Sequence, residues 1–384
     1  MTGPPDSLRV GIVCPYSFDV PGGVQNHVLG LARYLRHAGH RPCVLAPGEL
    51  GPATEGLDAK NFVNVEFASV GAAMPVRYNG SVARVNFGPL SAARVRRWLS
   101  KGKFDILHIH EPITPSISLL ALWAAEQPVV ATFHAATPRS RSMQLAGGVL
   151  RGAIEKIDAG IAVSESARNV VVQHLGRDAV VIPNGIEFDD FADRQQLRGD
   201  HPRLIFLGRL DEPRKGLDVL LAAVPLIMKT WPDLEVIVAG QGSRPLPEWC
   251  RSLGMISAES KIALLGSADV FVAPHLARES FGIVLLEAMA SGVPIVASEL
   301  PSFLDVLASR RDEGRLGEVF TAGDPGALAA SVLRVLAQPN PLRTVRAQEA
   351  ARRYDWSAVG STVVAVYRAA LSTVPAQPAE TSIR

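Results

Sequence analysis

Short apolar stretches that read as buried strands alternate along this chain with stretches of helical spacing. Residues 8–14 form an apolar run that ends before Pro15, and residues 24–38 carry apolar side chains at helical intervals. Gly39 ends that helix, and residues 42–46 read as a second strand. Because consecutive parallel strands need a crossover, this alternation predicts a parallel sheet with helices on both faces.

The alternation occurs in two series, separated by a break near residues 180–185 (VVIPNG). The first series goes on with strand patterns at 104–109, 128–133 and 159–163 and a helix at 116–126. The second has strands at 204–208, 234–240, 269–273 and 293–298, and helices at 216–229, 257–266, 283–290, 325–337 and 341–371. Because 384 residues suit two domains, we predict an α/β chain of two doubly wound, Rossmann-like halves facing a cleft. The first spans residues 8–182 and the second 183–357, and residues 373–384 form a disordered polar tail.

Ligands of such sheets bind at the carboxyl ends of the strands, and the strongest candidate there is the stretch 274–287 (PHLARESFGIVLLE). Ser280, Phe281 and Gly282 open a helix, and a helix N-terminus suits a phosphate. The carboxylates of Glu279 and Glu287 can accept hydrogen bonds from sugar hydroxyls and a ribose diol. The alternative is that Glu279 only complements the helix dipole and Glu287 is a solvated helix residue.

A second candidate is the stretch 208–216 (GRLDEPRKG), which follows another strand. Arg209, Arg214 and Lys215 lie where a departing diphosphate would need positive charge. The alternative is a solvated turn in which these cations pair locally with Asp211 and Glu212. A glycine pair at 22–23 lets the backbone approach a ligand closely, but it does not form a dinucleotide-binding fingerprint.

Histidines form a third group. His108, His110 and Glu111 resemble a zinc motif, but no third ligand at matching spacing follows, so we predict no metal site. His134 ends the strand 128–133 and is expected to contact substrate at the cleft.

A basic segment without acidic residues runs between Glu66 and Asp105. Within it, Arg94, Arg97 and Lys101 share one helical face, opposite Val95, Trp98 and Leu99. Such a helix can lie reversibly on anionic lipid, although an exposed basic face on a soluble helix is the alternative.

Bulk properties exclude several classes of protein. A net charge of +2 disfavours a general nucleic-acid binder, and three scattered cysteines suit reduced core thiols rather than a disulfide framework. The N-terminus has no signal-peptide pattern, and no run of 18 apolar residues exists. We therefore expect a cytoplasmic protein with at most peripheral contact with the inner face of the cell membrane.

The E-x7-E spacing of Glu279 and Glu287 resembles that of the retaining GT-B glycosyltransferases of family 4, and the resemblance extends from Arg9 to about Leu371. More specific stretches are VGIVCPYSFDVPGGVQNHV, RYNGSVARVNFGP, DILHIHEP, VATFH, VIPNG and DEPRKG. These are similar to a branch of the family that transfers mannose from GDP-mannose to the inositol of phosphatidylinositol at the membrane surface. The resemblance implies that the last helix, residues 358–372, crosses back to the N-terminal domain.

Site residues carry over by matching motif. The residues that would hold GDP-mannose are Gly23, Arg209, Arg214, Lys215, Lys261, Glu279, Ser280, Phe281, Gly282, Ile283 and Glu287. Those that would hold the inositol phosphate are Tyr16, Gln25, Tyr78, Asn79 and Arg84. The lipid-facing basic helix would present Arg94, Arg96 and Arg97. His134 would be important for transfer, and with Glu279, Arg209 and Lys215 it makes up the candidate catalytic set. The resemblance implies no tightly bound cofactor, with Mg²⁺ at most a stimulant.

The chain departs from the family pattern at Ser257-Ala258, where an acidic pair is expected near guanine, and the segment 242–253 is too short for a helix plus a strand. These departures keep another nucleotide sugar or acceptor open as an alternative. A catalytically silent binding protein on the same fold is a second alternative, and a sugar-nucleotide epimerase is a third. The sequence does not fix the oligomeric state.

Overall fold

Two parallel sheets, each covered by helices, make up the computed structural model of this chain. It describes residues 7–20, 22–49, 65–78, 81–134, 147–192, 199–277, 279–309 and 314–373. The disordered tail expected at residues 373–384 lies, apart from Thr373, outside the described residues. The strands are β1 (Arg9–Val13), β2 (Arg41–Ala46), β3 (Glu66–Ser69), β4 (Met74–Tyr78), β5 (Ser81–Val85), β6 (Ile106–His110), β7 (Val129–Phe133), β8 (Ala159–Ala162), β9 (Val180–Val181), β10 (Arg203–Leu207), β11 (Glu235–Ala239), β12 (Cys250–Ser252), β13 (Val270–Ala273), β14 (Ile295–Ser298) and β15 (Glu318–Phe320).

The helices follow the strands in alternation, as the sequence pattern predicts. They are α1 (Gly23–His37), α2 (Pro89–Gly102), α3 (Ile117–Ala124), α4 (Gly147–Ile154), α5 (Glu165–Leu175), α6 (Phe188–Ala192), α7 (Leu217–Met228), α8 (Ala258–Gly266), α9 (Ile283–Ala290), α10 (Pro301–Leu307), α11 (Pro325–Ala337), α12 (Pro341–Ala351) and α13 (Trp356–Thr373). Two short 3-10 turns, Pro213–Lys215 and Arg352–Tyr354, lie between them.

The N-terminal sheet has seven strands in the order β3-β2-β1-β6-β7-β8-β9, all parallel. Its central strands are apolar on both faces because helices cover both sides, and Val10, Ile12 and Ile109 have no exposed surface. The order places the carboxyl ends of β1, β6 and β7 side by side. The loops after these three strands carry the N-terminal candidates.

The C-terminal sheet has six parallel strands in the order β12-β11-β10-β13-β14-β15. β10 and β13 are neighbours, so the loops 208–216 and 274–282 lie next to each other. Between β11 and β12, residues 240–249 form no helix, in agreement with the expectation that this segment is too short for one. A three-residue strand nevertheless fits there and pairs with β11.

An antiparallel hairpin of β4 and β5 lies outside both sheets. It docks on the loop after β1, because Val85 forms an isolated bridge with Tyr16 and the Ser17 N–H donates to the Arg84 carbonyl (2.9 Å). The strand β5 of the motif RYNGSVAR therefore ends against the loop that precedes α1.

The C-terminal helix α13 crosses back to the N-terminal domain, as the resemblance implies. Its buried residues Trp356, Val363 and Tyr367 share a core with Leu8 and Ile12 at the first strand. Small residues allow the close approach of α13. A Cβ built at Gly30 would lie 2.2 Å from Trp356 Nε1, and one at Gly360 would lie 2.2 Å from Tyr34 Cδ1. Glycine at both positions is thus required by packing.

The helical stretch predicted for residues 341–371 is not continuous. α12 ends at Ala351, and the chain pairs at Asp355 with Ile186 of the segment that joins the domains. The Asp355 carboxylate accepts from the backbone N–H groups of Ser357 (2.8 Å) and Phe188 (3.1 Å). Because these bonds hold Asp355 in extended backbone (φ −61°, ψ 145°), the helix stops and restarts there.

Two further expectations can be compared with the fold. Cys14, Cys43 and Cys250 are free and buried, as predicted for reduced core thiols. Among the described helices, none is long and apolar enough to cross a membrane.

Candidate active site

The carboxylate of Glu279 lies among the side-chain nitrogens of three residues at the end of β13. Its Oε2 atom lies 2.8 Å from Lys215 Nζ, 3.1 Å from His275 Nδ1 and 3.8 Å from Arg214 Nη1. Burial tends to raise the pKa of Glu279, but Lys215 and His275 outweigh it and hold that pKa well below its usual range. Glu279 is therefore an ionised acceptor with a fixed orientation.

The two loops that carry these groups are clamped together by their backbones. The Leu276 N–H donates to the Arg214 carbonyl (2.8 Å). Gly216 has φ +71°, and a Cβ built there would lie 1.7 Å from the Pro274 carbonyl oxygen. Only glycine permits both the left-handed backbone and this approach, so the loops 208–216 and 274–282 behave as one unit.

Lys215 and Arg214 have different main partners. Lys215 donates to Glu279, and its role in ligand binding stays a prediction. Arg214, besides its longer contact with Glu279, donates through Nε to the buried carboxylate of Glu212 (2.8 Å), which is the local pairing that the alternative foresees. Arg209 is half-buried just beyond β10. The stretch is thus a structured cationic loop rather than a solvated turn.

Glu287 lies one turn inside α9 and is 6% exposed, which contradicts the alternative that it is a solvated residue. Lys261 of α8 reaches it, with Nζ 2.5 Å from Oε1, and the same ammonium lies 5.7 Å from the Phe191 ring centroid. The two residues expected at the nucleoside end of the donor are therefore in contact.

The N-terminus of α9 faces the same space. Gly282 precedes the helix with φ +97°, and no described side chain caps it. The first-turn N–H groups can therefore serve an anion, as predicted from Ser280, Phe281 and Ile283. Phe281 is buried, and its ring packs on Tyr354 (6.0 Å between centroids).

On the N-terminal side, Gly23 opens α1, and a Cβ built there would meet no described atom within 4 Å. The backbone is thus accessible to a ligand at this point. Gln25 differs from expectation, because its side-chain nitrogen already donates to the carbonyls of Ser17 (2.9 Å) and Val20 (3.1 Å). Its amide holds the loop after β1, and a direct contact with acceptor stays a prediction.

The other candidates for the acceptor lie around the β4–β5 hairpin. Tyr16 is half-buried beside Val85, and the Arg84 side chain is exposed. Tyr78 ends β4, but its side chain is outside what the structure describes, as is all of Asn79. The described part therefore brings Tyr16, Arg84 and the glycine pair to one edge of the N-terminal sheet.

His134 is held at the cleft by two contacts. Its backbone N–H donates to Glu111 Oε1 (2.7 Å), and its Nε2 lies 2.9 Å from His110 Nδ1. Burial lowers the pKa of His134 well below its usual value, and neighbouring histidines add to the effect. The imidazole is therefore neutral at pH 7, able to donate or accept one hydrogen bond.

The expected basic helix is α2. Val95 and Leu99 are buried, whereas Arg94, Arg96 and Arg97 are exposed. Arg94 also donates to the Val70 carbonyl (2.5 Å). The amphipathic division predicted from spacing is thus present.

Comparison with known proteins places this geometry in a family. The profile of Glycosyltransferase Family 4 matches residues 21–190, and that of Glycosyl transferases group 1 matches residues 201–338. The chain is 49% identical over 368 residues to the phosphatidyl-myo-inositol mannosyltransferase of Propionibacterium freudenreichii, covering 94% of this chain and 95% of that one. It is 46% identical to the enzyme of the same name from Mycolicibacterium smegmatis, over 94% and 93% of the two chains. The chain belongs to the phosphatidyl-myo-inositol mannosyltransferase family.

Solved structures extend the likeness to the fold. A glycosyltransferase from Rickettsia africae superimposes with a TM-score of 0.72 at 18% identity, covering 96% of this chain and 100% of that one. Anabaena HepE in complex with UDP and glucose gives 0.71 at 18%, over 94% and 100% of the two chains. These neighbours agree with the GT-B fold expected from the sequence. This chain therefore has the GT-B fold, with two Rossmann-like domains.

Sequence reasoning missed His27 and Tyr367. His27 lies on the buried face of α1, with its ring centroid 4.9 Å from that of His134. Tyr367 of α13 contacts His108 Nδ1 through its hydroxyl (2.7 Å), and Thr132 Oγ1 contacts His108 Nε2 (2.6 Å). The helical spacing that marks Val24 and Val28 as buried also points His27 inward, and this was the available signal. No third ligand follows His108 and His110 at matching spacing in the sequence, but the fold brings His27 beside His110 and His134 from a different element.

Proposed function

We propose that this enzyme transfers α-mannose, with retention of configuration, from GDP-mannose to the inositol of phosphatidylinositol at the cytoplasmic face of the membrane. The observation that carries the proposal is the ionised Glu279, held by Lys215 and His275 beside the N-terminus of α9. Family membership adds the identity of sugar and acceptor, because the relatives' name specifies mannose and phosphatidyl-myo-inositol.

The donor would bind at the two ion pairs Lys215–Glu279 and Lys261–Glu287. Glu279 offers carboxylate oxygens to the mannose hydroxyls, and Glu287, beside Lys261, offers them to the ribose diol. Arg209 and Lys215 lie nearest to the diphosphate, together with the N-terminus of α9. No resident cofactor is required for these steps, and stimulation by Mg²⁺ stays a separate question for assay.

Bond breaking places negative charge on the departing GDP. Charge-assisted hydrogen bonds from Arg209 and Lys215 would each contribute about 1.5–3 kcal/mol to stabilising it. Lys215 is fixed in advance by Glu279 and by the loop clamp, so little reorganisation of this cation accompanies the reaction.

The acceptor approaches from the N-terminal domain. Tyr16, Arg84 and the backbone at Gly23 line one edge of the cleft, and Gln25 secures the loop between them. His134, neutral and anchored by Glu111 and His110, orients the sugar or the inositol hydroxyl. Since none of these residues is an evident covalent nucleophile, we propose attack on the same face that GDP leaves, assisted by the leaving group. Closure of the two domains would exclude water and limit hydrolysis of the donor.

Membrane contact follows from α2, whose exposed Arg94, Arg96 and Arg97 suit an anionic lipid surface. Binding of this kind is peripheral and reversible, which fits an enzyme whose donor is water-soluble and whose acceptor is a lipid.

The test is incubation with labelled GDP-mannose and phosphatidylinositol, followed by separation of lipids. A mannolipid that loses its label to α-mannosidase is expected. Glu279→Gln, which keeps the side-chain shape and removes the charge, should abolish it. Absence of any mannolipid would contradict the proposal and favour the silent-scaffold alternative. An equal amount of mannolipid with Glu279→Gln would contradict the role of Glu279.

A second donor deserves a direct comparison, because Ser257 caps α8 through its hydroxyl (3.1 Å to the Ser260 N–H) where the family pattern has an acidic pair near guanine. Thermal unfolding with GDP, UDP and ADP separates the cases. Stabilisation by GDP alone supports GDP-mannose, and stabilisation by UDP but not GDP would overturn the donor assignment.

A further inference from the structure

Three histidine rings converge where the N-terminal sheet meets the cleft. His27 comes from α1, His110 from β6 and His134 from the end of β7. Each offers one ring nitrogen, and the three ligand atoms lie within 4.8 Å of one another. The ring centroids are 4.9 Å (His27–His134), 5.2 Å (His110–His134) and 5.4 Å (His27–His110) apart.

The surrounding structure fixes the three rings before any ligand binds. His27 packs against the Trp356 ring (5.1 Å between centroids), and His110 stacks on His108 (4.4 Å). Glu111 holds the backbone of His134. Each histidine is therefore held by a different part of the structure, so its side chain loses little conformational freedom when a ligand binds.

One nitrogen of the cluster lacks a partner. His27 Nδ1 is buried, and it has no hydrogen-bond partner of normal geometry among the described residues, although the Asn184 side chain acts on the pKa of His27. His110 Nε2 is also unpartnered, but the other nitrogen of that ring, Nδ1, is the one that faces His134. A buried polar atom without a partner destabilises a fold, so such atoms point to an absent ligand.

We propose that His27, His110 and His134 form a binding site for a divalent transition metal such as Zn²⁺. Three imidazole nitrogens with one position left open are a typical zinc arrangement, whereas Mg²⁺ prefers oxygen ligands. Zinc–nitrogen bonds of about 2.0–2.1 Å bring tetrahedral ligand atoms to about 3.3 Å from each other. The 2.9 Å separation of His110 Nδ1 and His134 Nε2 is close to that, and a nitrogen of His27 completes a group whose members lie within 4.8 Å of one another.

Metal binding has a consequence for the transfer reaction. The ion would occupy a ring nitrogen of His134, which is proposed to orient substrate. We therefore expect Zn²⁺ to inhibit the enzyme reversibly. This consequence rests on the proposed function, whereas the metal site itself does not.

The experiment uses the full chain without a polyhistidine tag, stripped with EDTA and then desalted. Titration with CoCl₂ should give the visible absorption of tetrahedral Co²⁺ at one equivalent, without the near-ultraviolet band of a thiolate ligand. Competition with a chromophoric chelator then measures Zn²⁺ affinity. His27→Gln should weaken Zn²⁺ binding at least tenfold, and His201→Gln, which removes an exposed histidine outside the cluster, should not.

His134→Gln provides a second variant at the cleft, in case the buried His27→Gln chain does not fold. It should show the same loss, and ZnCl₂ should raise the melting temperature of the unsubstituted protein but not of the variant. Absence of the one-equivalent cobalt spectrum, or equal affinity in both variants and the unsubstituted protein, overturns the site. These readouts decide the metal site even if no mannose transfer is observed. Once mannose transfer has been measured, the expected effect of the metal on the reaction is tested by adding Zn²⁺, which should inhibit transfer, and then EDTA, which should restore it.

Discussion

Lys215 Nζ lies 2.8 Å from Glu279 Oε2, although the two residues are 64 positions apart in sequence. One follows β10 and the other follows β13, and these strands are neighbours only in the folded sheet. The contact joins the residue proposed to stabilise the leaving group to the one proposed to hold the sugar, so loss of either should disturb both tasks.

Replacement of Lys215 by Gln should lower kcat about 10²–10³-fold, because it removes a fixed cation from the departing diphosphate. Initial rates with labelled GDP-mannose measure this. The control is Arg203→Gln at the opposite end of β10, which removes a surface pair with Glu235 (2.7 Å) and should leave kcat almost unchanged. Equal rates for the Lys215 variant and the control would refute the assigned role.

The loop clamp can be tested through Gly216. Gly216→Ala introduces a Cβ 1.7 Å from the Pro274 oxygen at a φ of +71°, so it should destabilise the protein by about 2 kcal/mol or more. Gly254→Ala is the matched control, since φ is +62° there and no described atom lies within 4 Å of the new Cβ. It isolates backbone strain, about 1 kcal/mol. Urea unfolding compares them, and equal losses would mean that the close approach carries no weight.

Stability should fall as the pH drops below 6.5. Burial lowers the pKa of His27 from 6.5 to about 4 and that of His108 to about 3, so the unfolded chain binds more protons than the folded one in that interval. Stability is thus fully present above pH 6.5 and is lost towards pH 4, by up to about 1.4 kcal/mol per pH unit for each histidine.

Urea unfolding at pH 7.5, 6.0 and 5.0 measures this slope. His27→Gln should reduce it by about one proton, and His37→Gln, at an exposed position of the same helix, should not. A slope that His27→Gln leaves intact would show that the buried cluster is not its source.

Membrane binding should depend on α2. Replacement of Arg96 and Arg97 by Gln leaves the Arg94 bond to Val70 in place and should weaken binding to anionic vesicles about 30-fold, from roughly 1 kcal/mol per charge. Sedimentation with phosphatidylglycerol vesicles at low and high salt measures the change. The charge-matched control, Lys229→Gln with Arg251→Gln, alters exposed cations of the other domain. If this control weakens vesicle binding as much, the loss comes from the lower net charge of the protein and not from the arginines of α2.

Local signals predicted the fold well. The bounds expected for α9 (283–290) and α11 (325–337) coincide with the structure, because each is a run of helix-forming residues between clear stops. The break at Asp355 was not predicted, since it depends on a pairing with Ile186 that no local pattern reveals. The four edge strands β3, β9, β12 and β15 were likewise missed, because two to four residues of mixed exposure carry little periodicity.

The site could be predicted from the sequence where its residues belong to motifs that follow strands of the same sheet. Glu279, Glu287 and Lys215 follow strands in the same sheet, so their grouping follows from topology. Gln25 shows the limit, because a motif match cannot reveal that its amide is already used by Ser17 and Val20. The histidine cluster shows another, since His27 meets His134 only through packing of α1 on the sheet.

The return of α13 to the first domain affects how the chain is made. Trp356 and Tyr367 complete a core begun by Leu8 and Ile12, so the first domain lacks part of its interior until α13 has been synthesised. The first domain therefore cannot finish folding before the second domain has been synthesised. A nascent polypeptide that has already built its second sheet still exposes an apolar groove on its first, and a premature stop before Trp356 would damage the half of the molecule that was synthesised earliest.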